Sequence, residues 1–141
     1  MVTFAASLLQ NIIRIEQVQR RFTKCLPGLQ NLPYSERLRR IKLTSLERRR
    51  LVTDLLMCYK ILFGLISVHC SKLLHLNTSS TRGHNYKLQK YHCGNGTIAS
   101  FFGNRVINVW NSLPPSVVDF SSLGKLKKSL ASVDLSKHLH Y

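Results

Sequence analysis

The sequence is poor in acidic residues, with six Asp and Glu among 141 residues against 21 Lys and Arg. No two of these carboxylates stand at a spacing suited to general acid–base or two-metal chemistry. The glycine-rich motifs GxxxxGK(S/T) and GxGxxG, which bind nucleotide phosphates, are absent from the sequence. We therefore expect no catalytic residue, no cofactor and no enzymatic activity of the chain on its own.

Long uncharged hydrophobic runs are also missing. The most apolar window, residues 51–74, contains Asp54, Lys60 and Lys72, and each full charge costs roughly 2.5–3.5 kcal/mol at the centre of a bilayer. The apolar segment at residues 4–9 is too short for the hydrophobic part of a secretory signal peptide. The sequence thus predicts no membrane partner and no secretion.

The four cysteines form no CxxC pair, so we expect reduced thiols in a reducing compartment, nuclear or cytoplasmic. Possible zinc ligands are nevertheless frequent in one region. They are His69, Cys70, His75, His84, His92 and Cys93. Their spacing is not that of a common zinc finger, so we assign no metal ligand, and a small zinc-assisted binding module remains an alternative.

The feature in excess is positive charge, since the chain carries a net charge of +15 with His neutral. Such a charge attracts polyanions, and nucleic acid is the partner we expect. Residues 1–50 hold eleven Lys and Arg against three Glu. This shortage of neutralising acids disfavours the alternative in which the charges only keep the chain soluble.

Hydrophobic periodicity predicts a mainly α fold. The predicted helices run over residues 5–24, 35–41 and 45–66, and two more begin near residues 98 and 122. Pro27-Gly28 ends the first helix, Thr44-Ser-Leu-Glu47 has the pattern of a capping box, and Pro114-Pro115 ends the fourth. Ser122 is the predicted cap of the last helix. The aromatic residues expected in the core are Phe101, Phe102 and Trp110.

The first predicted helix has an apolar side and a basic side. The apolar side carries Leu8, Ile12, Ile15, Val18, Gln19 and Phe22. The other side carries Arg14, Arg20, Arg21 and Lys24. We expect the apolar side to be buried and the basic side to face solvent.

Composition divides the chain into a basic helical region at residues 1–74, a polar insertion at 75–97 and a C-terminal helical part at 98–141. In the insertion, residues 85–91 alternate weakly between polar and apolar, and Gly94-Asn-Gly96 could turn a hairpin. Its two tyrosines are the better candidates for stacking on bases. They are Tyr86 and Tyr91.

Several motifs stand in a consistent order. They are Ile15-Glu-x-Val-Gln-Arg-Arg-Phe-Thr-Lys24, Tyr34-x-Glu-Arg-Leu38, Leu46-Glu-x-Arg-Arg50, Thr81-Arg-Gly-His84 with Lys87-Leu88, and Trp110-Asn-x-Leu-Pro114. The ordered set resembles the segment that follows the polymerase palm, and the C-terminal end, of non-long-terminal-repeat (LINE-type, Jockey-like) retrotransposon reverse transcriptases. It covers residues 12–130 of this chain.

This resemblance implies a thumb-like helical bundle, then a small irregular or β insertion and two C-terminal helices. It implies a fragment of an RNA-directed DNA polymerase, whose partners would be an RNA or DNA template–primer, target DNA, and the missing palm and fingers. The chain departs from the family in lacking the catalytic Asp-Asp motif of the palm. Where relatives often have Phe-Lys-x-x-Leu, this chain has Leu126-Lys-x-x-Leu130.

The resemblance also suggests which side chains contact nucleic acid. Arg20, Arg21, Lys24, Arg49 and Arg50 match basic positions of the thumb-like segment, and Arg82, His84 and Lys87 match the Thr-Arg-Gly-His-x-x-Lys-Leu motif. Alternatively, the motif is a turn that depends on the backbone freedom of Gly83. A further alternative is an inert or poorly folding transposon remnant, whose apolar surface is exposed because the palm is absent.

Overall fold

The structure is a computed structural model that describes residues 4–67, 74–79, 81–89 and 106–140. It is mainly α, as the periodicity predicts. The helices are α1 (Phe4–Cys25), α2 (Tyr34–Arg40), α3 (Leu46–Leu62), α4 (helical over residues 106–112) and α5 (Leu123–Ser132), followed by a 3-10 turn at Ser136–His138. The predicted start of α4 near residue 98, and the core positions Phe101 and Phe102, lie outside the described residues.

The chain forms two compact units. Unit 1 comprises Met1–Arg50 with Leu135–Tyr141, and unit 2 comprises Leu51–Asp134. The division falls within α3, between its charged first turn and its apolar remainder. The boundaries at residues 74–75 and 97–98 rest on composition and stay predictions.

The buried side of α1 differs from the predicted one. Its described inward positions are Ile12, Glu16, Gln19 and Thr23, each at most 8% exposed. Ile15, Val18 and Phe22, predicted to be buried, are 50%, 68% and 61% exposed. The prediction is confirmed for Ile12 and Gln19 and wrong for the other three, because the polar Glu16 and Thr23, which periodicity assigns to solvent, share the buried side. Leu8 belongs to the part of α1 whose side chains are not described.

Glu16 is the centre of this polar contact. The Tyr34 hydroxyl donates a hydrogen bond to its carboxylate, and the Glu47 backbone N–H donates a second at 3.3 Å. Gln19 Nε2 donates to the Tyr34 hydroxyl oxygen at 3.0 Å and to the Thr44 carbonyl at 3.1 Å. Burial, reinforced by the hydrogen bond to Glu16, raises the pKa of Tyr34 to about 12. Thus the phenol stays protonated and can donate.

The start of α3 corrects the predicted capping box. Ser45, not Thr44, precedes the first helical residue, and its hydroxyl accepts from the Arg48 N–H at 3.2 Å. In a capping box the Glu47 carboxylate would accept from the backbone N–H of the cap residue. Here it accepts instead from the His140 backbone N–H at 3.0 Å and lies 2.9 Å from the His140 Nδ1. Glu47 therefore ties the C-terminal segment into unit 1.

The end of α3 also lies four residues before the predicted Ile66. Gly64 has φ = +67°, the Leu65 N–H donates to the Lys60 carbonyl at 2.8 Å, and the Gly64 N–H donates to Ile61 at 3.3 Å. This is a Schellman motif, which satisfies the last carbonyls of a helix and needs a left-handed residue. A single glycine inside an apolar sequence gave too weak a signal to predict it.

Unit 2 has an apolar core. Its buried residues include Leu55, Cys58, Tyr59, Leu88, Val106, Trp110, Leu126 and Leu130, none more than 5% exposed. The core position predicted for Trp110 is confirmed. Burial raises the pKa of the Cys58 thiol to about 12, which makes it an inert packing group. The predicted cap of α5 is confirmed, because the Ser122 hydroxyl accepts from the Lys125 N–H at 3.2 Å.

The polar insertion contains one strand-like pairing within residues 74–79 and 81–89. Leu76 and Leu88 form an isolated antiparallel bridge. The Asn77 N–H donates to the Lys87 carbonyl, and the Gln89 N–H donates to the His75 carbonyl, both at 2.7 Å. The predicted Gly94–Gly96 hairpin turn lies outside the described residues.

The substitution Tyr34→Phe tests the polar core of unit 1. Removing the hydroxyl takes one donor from the buried Glu16 carboxylate and one acceptor from Gln19, so we expect a loss of about 1–3 kcal/mol in the free energy of unfolding. Urea unfolding followed by circular dichroism measures it. Tyr86→Phe, at a partly exposed ring of unit 2, is the control. Equal unfolding midpoints for the two variants would contradict a central role for Glu16.

Candidate nucleic-acid interface

The three carboxylates of unit 1 are all engaged within the unit. Glu16 and Glu47 are 2% and 7% exposed and accept the hydrogen bonds described above. Glu36 accepts from Arg39 at 2.6 Å and lies 3.7 Å from Arg40. The hydrogen bond from Arg39 holds the pKa of the Glu36 carboxyl below its usual value. In the described part of unit 1, each of the three Glu side chains thus already has a partner.

The C-terminal half of α1 carries the predicted contacts Arg20, Arg21 and Lys24, and all three residues are exposed. Residues three and four apart lie side by side on a helix, so Lys24 neighbours both arginines. The Arg20 guanidinium carbon lies 4.7 Å from the centre of the Tyr34 ring, within range of a cation–π interaction. This orients Arg20 towards α2.

The structure separates the two predicted arginines of α3. Arg49 donates to Gln19 Oε1 at 2.5 Å, which joins an exposed residue to the buried network around Glu16. Arg50 is exposed as well, but it lines a separate cavity of about 30 Å³, whose lining includes the carboxylate residues Glu16 and Glu47.

A larger surface pocket of about 550 Å³ lies in unit 1, between α1, α2 and the start of α3. Three arginines and six uncharged residues line it: Arg20, Arg39, Arg48, Tyr34, Ser35, Leu38, Leu43, Thr44 and Ser45. Sequence reasoning missed this pocket, because Arg39 and Arg48 stood among several basic residues and nothing marked Leu43 as their neighbour. We call it the unit 1 pocket.

His84, predicted to contact nucleic acid, is instead in the core of unit 2. It is 6% exposed, and its ring lies 4.9 Å from Phe120 and edge-on to Trp110. Its Nε2 lies 2.7 Å from the Trp110 carbonyl oxygen, and its Nδ1 accepts from the Tyr86 N–H at 3.2 Å. Since Nδ1 accepts, Nε2 carries the proton, and burial lowers the pKa of the ring. We therefore assign His84 to packing.

The rest of the Thr81–His84 motif forms a turn. Gly83 has φ = +121°, and a Cβ placed there would lie 2.7 Å from Lys87 Cε. Lys87 Nζ donates to the Arg82 carbonyl, so this lysine is engaged inside the loop. Among the three predicted contacts of unit 2, Arg82 is the exposed one. The turn interpretation of the motif accounts for these contacts.

An aromatic group in unit 2 includes the stacking candidate Tyr86. Its ring lies 5.2 Å from Phe63 and 5.2 Å from Phe120, and Phe63 stacks on Tyr59 at 4.2 Å. Tyr86 and Phe63 are 36% and 38% exposed. The second candidate, Tyr91, lies outside the described residues.

Within the described residues, no group of three or more His, Cys, Asp and Glu is placed to hold a metal ion. His75 and His84 are described, whereas the other proposed zinc ligands, His69, Cys70, His92 and Cys93, are not. The zinc-assisted alternative rests on those four residues and stays a hypothesis. In the same described part of the chain, no helix has both the length and the hydrophobicity to cross a bilayer.

We compared the chain with protein-family models, with curated proteins and with solved structures, and none of them matched it. The resemblance to retrotransposon reverse transcriptases therefore rests on the motifs quoted above.

The buried His84 predicts that the stability of unit 2 depends on pH. Burial, helped by the nearby Lys87 ammonium, lowers its pKa below the usual 6.5. Between pH 6.5 and the lowered pKa of the folded ring, His84 is protonated in the unfolded chain and neutral in the folded chain. The stability that His84 contributes is therefore complete above pH 6.5. It is lost as the pH falls through the lowered pKa of the folded ring.

Urea unfolding between about pH 7.5 and pH 5 measures this dependence. The wild-type midpoint is expected to fall across the range, and His84→Gln, which keeps an N–H donor, is expected to show a shallower fall. Equal slopes for the two proteins would exclude His84 as the source.

Proposed function

We propose that this chain is a non-catalytic fragment of an RNA-directed DNA polymerase of the non-long-terminal-repeat retrotransposon type. In this proposal, unit 1 binds template–primer or target nucleic acid through its exposed basic residues. The observation that supports it most is a charge imbalance. Unit 1 contains twelve Lys and Arg and three Glu, and all three carboxylates are used in contacts inside the unit.

The C-terminal half of α1 is the centre of the proposed interface. Arg20, Arg21 and Lys24 present three cations along about one helical turn, or roughly 6 Å. Such residues bind phosphates and fix the position of a strand without reading its sequence. Arg49 extends this surface from α3 and is held in place by its hydrogen bond to Gln19.

In unit 2 we propose one direct contact, Arg82, on the turn formed by Thr81–His84. His84 and Lys87 then act on that contact indirectly. His84 anchors the turn to the Trp110 carbonyl, and Lys87 caps the Arg82 carbonyl. This assignment replaces the direct contacts that the motif suggested for His84 and Lys87.

Replacing Arg20, Arg21 and Lys24 together by Gln tests the interface. Each phosphate contact to duplex DNA contributes about 0.9 to the slope of log K against log salt concentration. We therefore expect weaker binding to all sequences and a slope smaller by about 2–3. Fluorescence anisotropy with a labelled duplex between about 50 and 200 mM salt measures both quantities.

The matched control removes three charges from unit 2, at the exposed Lys125, Lys127 and Lys128 of α5. It has the same net charge as the test variant. If affinity and the slope of log K against log salt concentration decrease equally in the two triple variants, net charge alone accounts for binding. The proposed role of α1 is then wrong.

A second candidate is an inert remnant that has lost its partner domain. The observation that favours it is the row of exposed apolar side chains on α1, formed by Ile15, Val18 and Phe22. In the resembling polymerases the thumb packs beside a palm, whose catalytic Asp-Asp motif does not occur in these 141 residues. Exposed apolar surface of this kind promotes association between copies.

The double variant Val18→Asp, Phe22→Asp tests this candidate by placing charges in the apolar row. If the row drives self-association, the wild-type chain sediments above its monomer mass and the variant returns to it, with an unchanged circular dichroism spectrum. Ile15 is left in place so that the small cavity beside Arg50 keeps its lining. A wild-type chain that is monomeric and melts cooperatively would eliminate the inert, aggregating remnant.

A further inference from the structure

We propose that Arg37 and Arg20 together bind one phosphate of a nucleic-acid backbone where α2 packs on α1. The inference rests on the proposed function, because it adds a partly buried phosphate site to the exposed basic surface of unit 1. Arg37 is not among the contacts that the sequence motifs suggest, and its surroundings become visible only in the folded chain.

Arg37 is a buried cation. The residue is 7% exposed, although it belongs to a helix of only seven residues on the surface of unit 1. A guanidinium group cannot lose its proton in a protein, so it keeps its charge when it is buried. Buried charges are normally paired with an opposite charge and hydrogen-bonded throughout, since an unpaired one is costly. Arg37 should therefore have an anion beside it.

The protein contacts of Arg37 do not supply that anion. Its Nη1 donates to the Arg20 carbonyl at 3.1 Å, and the same oxygen also accepts from the Thr23 hydroxyl at 3.1 Å. Its Nε is buried and has no hydrogen-bond partner. The described residues include all six Asp and Glu of the sequence, and none of these carboxylates forms an ion pair with Arg37.

The carboxylates that could have compensated Arg37 are used elsewhere. Glu36, its neighbour in the sequence, pairs with Arg39 at 2.6 Å. Glu16 accepts its hydrogen bond from the Tyr34 hydroxyl. The contact between α1 and α2 therefore holds a buried positive charge that no side chain of the chain neutralises.

Arg20 brings a second guanidinium group to the same place. The guanidinium carbons of Arg20 and Arg37 lie 4.7 Å and 5.5 Å from the centre of one ring, that of Tyr34. Arg20 is exposed, so it offers an anion a route from solvent to its buried neighbour. Guanidinium groups bind phosphate oxygens through paired N–H donors. A phosphate shared by the two arginines would give Arg37 the opposite charge that it lacks.

The position of Arg20 indicates that this phosphate belongs to a nucleic-acid strand. Arg20 is part of the proposed interface on α1, where Arg21 and Lys24 are the next cations along the helix. A strand whose phosphates follow these residues places one phosphate at Arg20 and Arg37. A partly buried contact is screened by salt less than an exposed one, so this phosphate would anchor the strand.

The variant Arg37→Gln tests the site by removing the buried charge. Arg14→Gln is the matched control, because Arg14 is an exposed residue of unit 1 outside the proposed contacts, and its replacement removes the same charge. Fluorescence anisotropy with a labelled blunt DNA duplex measures binding. We expect Arg37→Gln to bind about tenfold more weakly, the order of one charge-assisted hydrogen bond, and Arg14→Gln to bind like the wild type. Equal losses in the two variants would overturn the site.

A second measurement uses the wild-type chain and decides the matter if Arg37→Gln does not fold. It follows the Arg37 Nε–H resonance by nuclear magnetic resonance, assigned through the side-chain carbons of Arg37. We expect the duplex to shift this resonance over the same concentration range in which anisotropy reports binding. Inorganic phosphate should shift it at higher concentration, and chloride at equal ionic strength should not. A purely structural role of Arg37 predicts no shift with either phosphate probe.

The remaining outcomes separate the two proposals. If the duplex binds and the Arg37 resonance does not move, the site is overturned and the proposed function stands. A shift with inorganic phosphate but not with the duplex would mean an adventitious ion only and would overturn the site. A shift with phosphatidylserine vesicles but not with the duplex would reassign it to an anionic lipid and overturn it as well. If the duplex neither binds nor shifts the resonance, both proposals fail.

Discussion

The arrangement of unit 1 depends on a buried carboxylate, Glu16, held by the Tyr34 hydroxyl and the Glu47 N–H. A buried charge is tolerated only when donors surround it, and those donors come from α2 and from the start of α3. Because Glu16 must lie next to these donors, α1 is oriented with Glu16 and Gln19 facing inward. As a consequence, Val18 and Phe22 face outward although they are the more apolar residues.

The same constraint shapes the surface on which the proposed function rests. Glu16 and Glu47 are buried in this network, and Arg49 is fixed to it through Gln19. Tyr34 links the core to the pocket, since its hydroxyl binds Glu16 while its ring lies under Arg20. Core packing and the basic surface are therefore two results of one set of contacts.

The helices themselves could be predicted from local signals such as periodicity, the Ser122 cap and the prolines that follow α4. The burial of Glu16 could not, because periodicity ranks residues by hydrophobicity and carries no information on the donor that Tyr34 supplies to Glu16. Likewise, nothing local shows that Glu47 binds His140, which is 93 residues away. The basic residues could be predicted from charge, but the pocket that gathers Arg20, Arg39 and Arg48 required the tertiary structure.

The central claim is that the basic surface of this chain binds nucleic acid, and the salt dependence of binding by the whole wild-type chain tests it most directly. We expect binding to an RNA–DNA hybrid and to a DNA duplex at low ionic strength. The logarithm of the association constant should fall linearly with the logarithm of the salt concentration, with a slope that corresponds to several phosphate contacts. Absence of binding to both at the lowest ionic strength would contradict the account.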